Sequence, residues 1–472
     1  MSDIYTQLRD QIKTGDVFRP ADEGYEDSLK RWSASSERPA AVVVKATSPE
    51  EVSTAVRFAT ANKIPLTTRG GGHSTSGASS SDGGMVIDLS RMRNVIVDPE
   101  ARTVAYEGGC VFGDVDSRLA AHGLATVGGL YNQTGVGGLV LGGGHGFLSA
   151  RHGLSIDNLL SVQMVLADGS IVEVSETQKP DLFWAVRGAG AQFGIVTRFT
   201  SRAHPQGDIW GGPLVFPLDK LPQLVEFANE FHKRGVPDHN YALIFTCGPP
   251  EFTAPVLITA LFYNGPAAEA EEFFAPLLKL EPVANMTQMM PYQTANTLFS
   301  PWFEGPGRRL IGSSSVLMPL DADVMAEAGR QFVDFITSHN DMGKSALVVE
   351  FFPTAAIRSV PHDATAFANR GEHYAAVMVF QHHDASYDGE VRAFKRKLAE
   401  YITTRCGYRG KKGSDGHVAP FYVNLEHESL SPEDAFGDHV EQLRELKQKF
   451  DPNNVFHKWH TVVPGAKKTN SE

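Results

Sequence analysis

The sequence predicts an α+β protein with more than one domain. The chain has 472 residues, well above the ~100–200 residues of one ordinary domain. Segments with the periodicity of strands and of helices recur along it. Glycine is concentrated before about Gly212 and falls away after it. We therefore expect a glycine-rich first domain followed by a second domain of different composition.

Composition and charge restrict the function. Hydrophobic residues make up 42% and charged residues 21%, so a wholly disordered chain is excluded. The net charge of −12 argues against nucleic acid or an anionic membrane as the main partner. No apolar run approaches the ~18 residues of a membrane span, and no secretion signal is seen. We expect a cytoplasmic or other intracellular protein whose main partner is neither nucleic acid nor an anionic membrane.

Cysteine and histidine spacing does not indicate a metal site or a disulfide scaffold. The cysteines are odd in number and lack a C-x-x-C spacing: Cys110, Cys247 and Cys406. Adjacent histidines such as His382 and His383 point to opposite faces of a strand. The pair His457 and His460 has no acidic or cysteine partner at a suitable spacing. We expect no bound metal.

The first elements predict strand, helix, strand and loop. Residues 40–45 form a β-branched apolar run typical of a buried strand. Ser48 before Pro49 predicts a capped helix start. Residues 64–68 predict a second strand, which leads into a glycine loop at residues 69–77.

Further strands follow in the glycine-rich part. Residues 85–89 and 94–97 predict a strand pair, and residues 160–166 and 171–174 predict a hairpin around an Asp-Gly turn. Beyond Gly212 the predicted helices are residues 221–232 and 267–278. The predicted strands there are residues 241–246, 346–352 and 375–381. Ser431 and Pro432 predict the start of one last helix.

Two glycine loops carry the main chemical signal. They are residues 69–77, Arg-Gly-Gly-Gly-His-Ser-Thr-Ser-Gly, and residues 135–146, which contain seven glycines. Glycine lets backbone N–H groups approach a diphosphate without an intervening Cβ. The loops therefore indicate a dinucleotide site, the alternative being that they only make tight turns. A Walker motif is absent, because Ser338 stands where its first glycine should be.

Five segments together resemble one family. They are residues 64–74, 153–158, 181–196, the Tyr-x-Asn motif at Tyr422 and Asn424, and residues 447–456. They occur in the family order over residues ~38–460. On these motifs the chain resembles the berberine bridge enzyme-like flavoproteins of the vanillyl-alcohol oxidase superfamily, including members of the 6-hydroxy-D-nicotine oxidase type.

The resemblance implies a particular α+β architecture. A PCMH-type FAD-binding domain of two subdomains is expected over residues 38–206, after an N-terminal segment at 1–37. A substrate domain, an antiparallel sheet covered by helices, is expected over residues 207–412. The C-terminal segment 413–472 is expected to return to the FAD domain.

The resemblance also implies FAD as cofactor. His73 resembles the histidine that bonds covalently to the flavin 8α-methyl group. Tyr131 occupies the position where some members have a second, cysteinyl link, so we expect a single link through His73. Cofactor contacts are further expected from Arg69, Gly70, Gly71, Gly72, Ser74, Gly77, Tyr131, Gly135, Gly138, Gly142, Gly143, His145, Gly146, Asn158, Gly194, Ile195, Val196, Tyr422 and Asn424. Arg69 is alternatively a surface residue at a strand end, and His145 alternatively fills a turn.

Catalysis requires a proton acceptor beside the C–H bond that is oxidised. Tyr422 is the expected base, and Asn424 would share its face in a strand and orient it. Some relatives use a glutamate on a substrate-domain strand, but residues 374–383 hold no acid. Glu350 and Gln381 are other candidates for the wall, although Glu350 is expected to be exposed.

The expected reaction is hydride transfer from an alcohol or amine to FAD and then to O2. Aromatic residues would line a pocket for an aromatic or secondary-metabolite substrate. The candidates are Tyr292, Phe299, Trp302, Phe303, Phe351 and Phe352. Alternatives are a dehydrogenase with another acceptor, a non-redox cyclase that retains FAD, and a binder that has lost it.

Overall fold

The computed structural model describes residues 4–407, 421–426 and 428–465. The predicted loop at residues 409–416 and the expected domain boundary at residue 412 lie outside these ranges. The strands are β1 Asp16–Phe18, β2 Val42–Lys45, β3 Leu66–Arg69, β4 Met85–Asp88, β5 Val95–Asp98, β6 Thr103–Glu107, β7 Leu124–Ala125, β8 Leu159–Val165, β9 Ile171–Ser175, β10 Ile195–Arg202, β11 His204–Pro205, β12 Ile209–Phe216, β13 His239–Cys247, β14 Pro255–Tyr263, β15 Ala284–Asn285, β16 Gln288–Met290, β17 Arg308–Val316, β18 Ala346–Phe351 and β19 Tyr374–His382.

Helices separate and cover these strands. They are α1 Ile4–Gln11, α2 Tyr25–Leu29, α3 Pro49–Ala61, α4 Phe112–Ala120, α5 Val136–Leu141, α6 Ser149–His152, α7 Pro180–Ala189, α8 Leu221–Arg234, α9 Ala267–Phe273, α10 Ala275–Leu278, α11 Tyr292–Ala295, α12 Ser300–Phe303, α13 Ala322–Thr337, α14 Ala355–Ser359, α15 Asp388–Cys406, α16 Pro432–Phe436 and α17 Val440–Phe450. Within the described ranges, no helix is both long and apolar enough to span a membrane.

The first sheet has the strand order β1-β2-β4-β3. β4 pairs in parallel with both β2 and β3, and β1 pairs antiparallel with β2. Ser48 caps α3 by accepting a hydrogen bond from the Glu51 backbone N–H, as the sequence predicts. The predicted order of strand, helix, strand and glycine loop is therefore confirmed.

The second sheet is antiparallel, in the order β5-β6-β10-β8-β9. The predicted hairpin is confirmed as β8 and β9, with Gly169 at φ 79° in its turn. The predicted pairing of residues 85–89 with 94–97 is wrong. Both edges of β4 are already occupied by β2 and β3, so β5 joins β6 in the other sheet. We call residues 16–205, which contain both sheets and the two-stranded pair of β7 and β11, the first lobe.

The second lobe, residues 209–406, contains an antiparallel sheet of eight strands. Its order is β15-β12-β14-β13-β18-β19-β17, with β16 added beside β12. Helices α8, α13 and α15 contribute to one large apolar core with this sheet. The predicted helix 267–278 is divided into α9 and α10, because Pro276 at the start of α10 has no N–H to continue the first helix.

The C-terminal segment packs against the first lobe. The predicted last helix is divided into α16 and α17 at Gly437, whose φ is 56°. In α17, the Nζ atom of Lys447 donates to the Gln192 carbonyl at 2.6 Å and to the Asp451 carboxylate at 2.7 Å. Both charged side chains are completely buried. This paired charge fixes α17 beside the first lobe.

Candidate active site

A cavity of about 440 Å³ lies between the two lobes. The glycine loops and Gly194, Ile195 and Val196 line one side. The eight-stranded sheet lines the other side, through residues that include Tyr241, Ile258, Val348 and Val377. The size is in the range of small-molecule and cofactor sites, which commonly form between domains.

The two glycine loops touch each other at Gly71 and Gly135. A Cβ atom on Gly71 would lie 2.5 Å from the Gly135 Cα atom. Gly70 faces the Gly108 carbonyl, which a Cβ atom would approach to 3.0 Å. Close contact between the two backbones therefore requires glycine at these positions, and it creates one continuous surface of main-chain groups along the cavity.

Most of the expected cofactor residues line this cavity. They are Gly70, Gly71, Gly72, His73, Ser74, Tyr131, Gly135, Gly138, His145, Gly194, Ile195, Val196, Tyr422 and Asn424. Six expected residues are not part of its lining: Arg69, Gly77, Gly142, Gly143, Gly146 and Asn158.

Arg69 and Asn158 are held by other protein groups. Arg69 Nη1 lies 2.6 Å from the carboxylate of Asp88, which is fully buried, so the guanidinium has a protein counter-ion. The Asn158 amide donates to the carbonyls of His152 and Leu154, and its oxygen lies 2.7 Å from His204 Nε2. Both side chains thus have polar partners within the first lobe, and neither lines the cavity.

His73 stacks on Trp32 in the cavity wall. The ring centroids are 4.0 Å apart and the rings are nearly parallel, at 17°. Neither ring nitrogen hydrogen-bonds to a described residue, and Nε2 is buried. Burial, together with the nearby charge of Arg309, lowers the pKa of His73 to about 3. The imidazole is therefore neutral at physiological pH and holds a nitrogen lone pair in the cavity.

Arg309 holds the stacked pair in place through its contacts with Trp32. Its guanidinium lies 4.7 Å from the centre of the Trp32 ring, and its Nη1 donates to the Trp32 carbonyl. It also donates to Gln381 at 3.0 Å and to the Phe303 carbonyl at 2.9 Å. Sequence reasoning identified neither Trp32 nor Arg309, because no motif links the N-terminal segment to β17. Gln381, a candidate wall residue, binds Arg309 and lies outside the cavity lining.

Tyr422 and Asn424 are in direct contact. Asn424 Nδ2 donates to the Tyr422 hydroxyl at 2.9 Å and to the Leu139 carbonyl at 2.9 Å. The expected strand is wrong, since residues 423–425 form a short 3₁₀ helix. Burial raises the pKa of Tyr422 to about 12, against an opposing effect from Asn424 and the Gly144 and His145 backbone N–H groups. Tyr422 is therefore protonated at neutral pH.

Glu350 projects from β18 into the cavity. The expectation that it is exposed is wrong: it is half-buried, and its carboxyl makes no hydrogen bond or ion pair with any described residue. Burial raises its pKa to about 7. A group with a pKa near neutrality is well suited to accept a proton.

A second buried carboxyl, Glu426, lies two residues beyond Asn424. It accepts a hydrogen bond from Ser313 Oγ at 2.7 Å, and burial raises its pKa to about 7. Sequence reasoning missed it, although its spacing from the Tyr-x-Asn motif was a usable signal. His145 also faces the cavity, with its ring edge against Phe352, and burial lowers its pKa to about 4.

Part of the expected aromatic wall is present. Phe299, Trp302, Phe303 and Phe352 line the cavity. Tyr292 and Phe351 instead pack in hydrophobic cores. The part of the cavity that these rings line is consequently apolar, and Glu350 and Tyr422 are among the polar groups of the lining.

This fold and site define a flavoprotein oxidoreductase. The FAD binding domain family matches residues 40–175, and the berberine and berberine-like family matches residues 421–462. The paired glycine loops and the His73 ring, whose Nε2 has no hydrogen-bond partner among the described residues, are consistent with FAD, because they bring close-packed main chain and a ring nitrogen into one cavity.

The chain belongs to the berberine bridge enzyme-like FAD-linked oxidoreductases. It is 36% identical to the FAD-linked oxidoreductase pgmH of Aspergillus terreus, over 97% of this chain and 95% of the relative. It is 31% identical to hasG of Aspergillus fumigatus, over 95% of this chain and 97% of the relative.

Solved structures share the fold. One is 6-hydroxy-D-nicotine oxidase from Arthrobacter nicotinovorans, with a TM-score of 0.81 and 24% identity over 96% of this chain and 98% of that one. Another is xylooligosaccharide oxidase from Myceliophthora thermophila, with a TM-score of 0.81 and 24% identity over 98% and 99% of the two chains. The expected architecture of a PCMH-type FAD oxidase is therefore confirmed.

Proposed function

We propose that this protein is an FAD-linked oxidase of a small alcohol or amine, aromatic or from secondary metabolism, with FAD attached to His73. The substrate would give a hydride from its C–H bond and a proton from the neighbouring O–H or N–H. O2 would finally take the two electrons and two protons as H2O2. The observation that carries the proposal is the presence of His73, Tyr422 and Glu350 in one cavity.

The environment of His73 supports covalent attachment. The ring is neutral and uses neither nitrogen in a hydrogen bond to the described part of the chain. Stacking on Trp32, which Arg309 holds in turn, restricts its rotation. Tyr131, 5.9 Å away between ring centroids, offers no thiol for a second link. When bound, FAD supplies the hydride acceptor.

The polar groups of the cavity have different roles: one would accept the substrate's proton and another would bind the substrate. Glu350 is the stronger candidate acceptor at neutral pH, because its pKa of about 7 leaves a large deprotonated fraction. Tyr422, the base expected from the sequence, keeps its proton and would bind and orient the substrate oxygen or nitrogen. Asn424 holds the Tyr422 hydroxyl in place. In this role Asn424 is a positioning residue.

The apolar wall supports an aromatic substrate. Phe299, Trp302, Phe303 and Phe352 present ring surface in the cavity, and rings favour stacked or edge contacts with other rings. With the Glu350 and Glu426 carboxyl groups both in its lining, the cavity suits a neutral or weakly basic substrate better than an acid. A carboxylate substrate would be repelled by these two groups, and Lys458 is the one lysine or arginine in the described cavity lining that could offset the repulsion.

The first experiment is acid precipitation of the purified protein with measurement of its intact mass. We expect the yellow chromophore to stay with the wild-type pellet and the mass to include FAD. His73→Ala should release its flavin, whereas His122→Ala, at an exposed helix end, should retain it. Full release of flavin from the wild type would overturn the covalent link, and failure to bind FAD at all would overturn the flavoenzyme assignment.

The second experiment separates the possible reactions on this scaffold. Aromatic alcohols and amines are screened for peroxide production coupled to oxygen uptake, with the same reactions run anaerobically. An oxidase consumes oxygen and bleaches its flavin anaerobically. A dehydrogenase bleaches but turns over only with another acceptor. A non-redox cyclase returns a product of unchanged mass with its flavin still oxidised.

A further inference from the structure

A cluster of potential metal ligands lies outside the cavity, where the second lobe meets the C-terminal segment. It consists of His362, on the short 3₁₀ helix His362–Ala364, and of Asp438 and His439, on the 3₁₀ helix Gly437–His439. One donor atom from each residue lies within 4.8 Å of the others. His362 Nε2 is 2.8 Å from Asp438 Oδ1, and His439 Nε2 is 3.9 Å from the same oxygen.

The ring of His439 is oriented in the way that metal-binding histidines are. Its Nδ1 lies 3.2 Å from the Ala366 carbonyl oxygen, which only accepts, so Nδ1 carries the hydrogen. Nε2 then holds a lone pair. Ligating histidines are typically fixed by such a bond from the other ring nitrogen to a backbone carbonyl.

The Nε2 atom of His439 has no partner in the described part of the chain. The residue is 6% exposed, and Nε2 itself is buried without a hydrogen bond. The nearest acidic atom is Asp438 Oδ1, whose distance of 3.9 Å is too long for a hydrogen bond. A buried lone pair thus faces a carboxylate, and a cation between them would satisfy both.

We propose that His362, Asp438 and His439 bind one divalent transition-metal ion, with Zn²⁺ as the reference ion. Zn–N bonds of about 2.0–2.1 Å and Zn–O bonds of about 2.0–2.2 Å place tetrahedral ligand atoms about 3.3 Å apart. The two measured separations, 2.8 and 3.9 Å, bracket this value, so small rotations of the side chains complete the site. Asp438 is exposed, which leaves the fourth position open to water.

The ion would join two segments that meet beside the active site. Ala366, whose carbonyl orients His439, is followed by Phe367. The Phe367 ring lies against Gly143, where a Cβ atom would come within 2.6 Å of it, and at 5.9 Å from the Tyr422 ring. The proposed site is therefore structural: it would fix the segment that supports Tyr422 from outside the cavity.

The test uses the FAD-loaded protein without an affinity tag, first stripped with EDTA. Equilibrium dialysis against Zn²⁺, with metal counted by mass spectrometry, should give about one ion per chain. Asp438→Asn and His362→Ala, both at accessible positions, should each weaken binding at least about tenfold. Glu390→Gln is the control, because it disrupts a comparable pair with His339 that has no third ligand among the described residues.

Thermal unfolding provides a second measurement that does not depend on turnover. Zn²⁺ should raise the Tm of the wild type and of Glu390→Gln, but not that of Asp438→Asn, because a ligand stabilises only the state that binds it. Wild-type affinity no greater than that of Asp438→Asn would overturn the proposal. So would equal loss of binding in Glu390→Gln, which would indicate weak binding spread over surface histidines.

Discussion

Gly142 and Asn424 are in contact at a point where a side chain has no room. A Cβ atom on Gly142 would overlap Oδ1 of Asn424 and lie 2.8 Å from its Cγ atom. The same Asn424 side chain donates to the Tyr422 hydroxyl. Gly142 therefore affects the site without lining the cavity, because it allows the Asn424 position on which Tyr422 depends.

Gly142→Ala should consequently reduce turnover without removing FAD. The added methyl group displaces Asn424 and breaks its bond to Tyr422, a loss of about 1–3 kcal/mol for a buried hydrogen bond. We expect kcat to fall about tenfold, with the covalent flavin content unchanged. Gly389→Ala, at a helix position with nothing within 4 Å of the added atom, is the control. Unchanged kcat in Gly142→Ala would contradict the positioning role of Asn424.

Glu350 should set the pH dependence of substrate oxidation. A base must be deprotonated to accept a proton, so kcat/KM should rise with pH through about 7 and then level off. Glu350→Gln should lower kcat by about 10²–10⁴-fold and remove this inflection.

Two variants distinguish Glu350 from its neighbours in the same pH profiles. Tyr422→Phe should be slower but keep the inflection, because Tyr422 is already protonated at neutral pH. Glu426→Gln should also keep it, because Glu350 rather than Glu426 is the proposed proton acceptor, although burial raises the pKa of both carboxyls to about 7. If the inflection disappears in Tyr422→Phe and remains in Glu350→Gln, then Tyr422 is the base and Glu350 is not.

Cavity residues could be predicted from the sequence where the backbone itself requires a particular residue type. The glycine loops and His73 could be placed because only glycine permits the approach of Gly71 to Gly135, and that requirement is visible in the sequence. The positions of Trp32 and Arg309 could not be predicted from the sequence. They come from the N-terminal segment and β17, and nothing local indicates that the two segments meet at His73.

The burial of Glu350 also could not be predicted from local sequence. Alternation along a strand predicts which residues share a face, but not whether that face meets solvent, a core or a cavity. Both faces of the eight-stranded sheet are covered, one by helices and the other by the first lobe, so a polar residue on β18 lines the cavity. The ion pair of Arg69 was not predicted for a related reason: its partner Asp88 lies on a neighbouring strand, 19 residues away.

Arg309→Lys tests how strongly the protein holds His73. Lysine keeps the charge but lacks the planar group that reaches Trp32, Gln381 and the Phe303 carbonyl together. We expect the free energy of unfolding to fall by about 2 kcal/mol or more. The fraction of covalently bound flavin should fall as well.

Arg308→Lys is the control, since the neighbouring Arg308 side chain pairs with Asp388 at a less buried position. Equal flavin content in both variants would separate Arg309 from flavin attachment.

Glu51 should contribute stability that depends on pH. Its carboxylate accepts from the backbone N–H groups of Lys13, Thr14, Gly15 and Thr47. Burial would raise its pKa, but these donors outweigh that effect and lower it from 4.5 to about 2. Because the folded-state pKa is depressed, the stabilisation is fully present above pH 4.5 and is lost as the pH falls towards 2.

We expect Glu51→Gln to lower Tm by at least about 2 °C at pH 7, with the difference from the wild type narrowing below pH 4.5. Glu50→Gln, an exposed neighbour in the same helical turn, should show no such effect, and a constant difference between pH 7 and pH 3 would exclude the carboxylate charge as the cause.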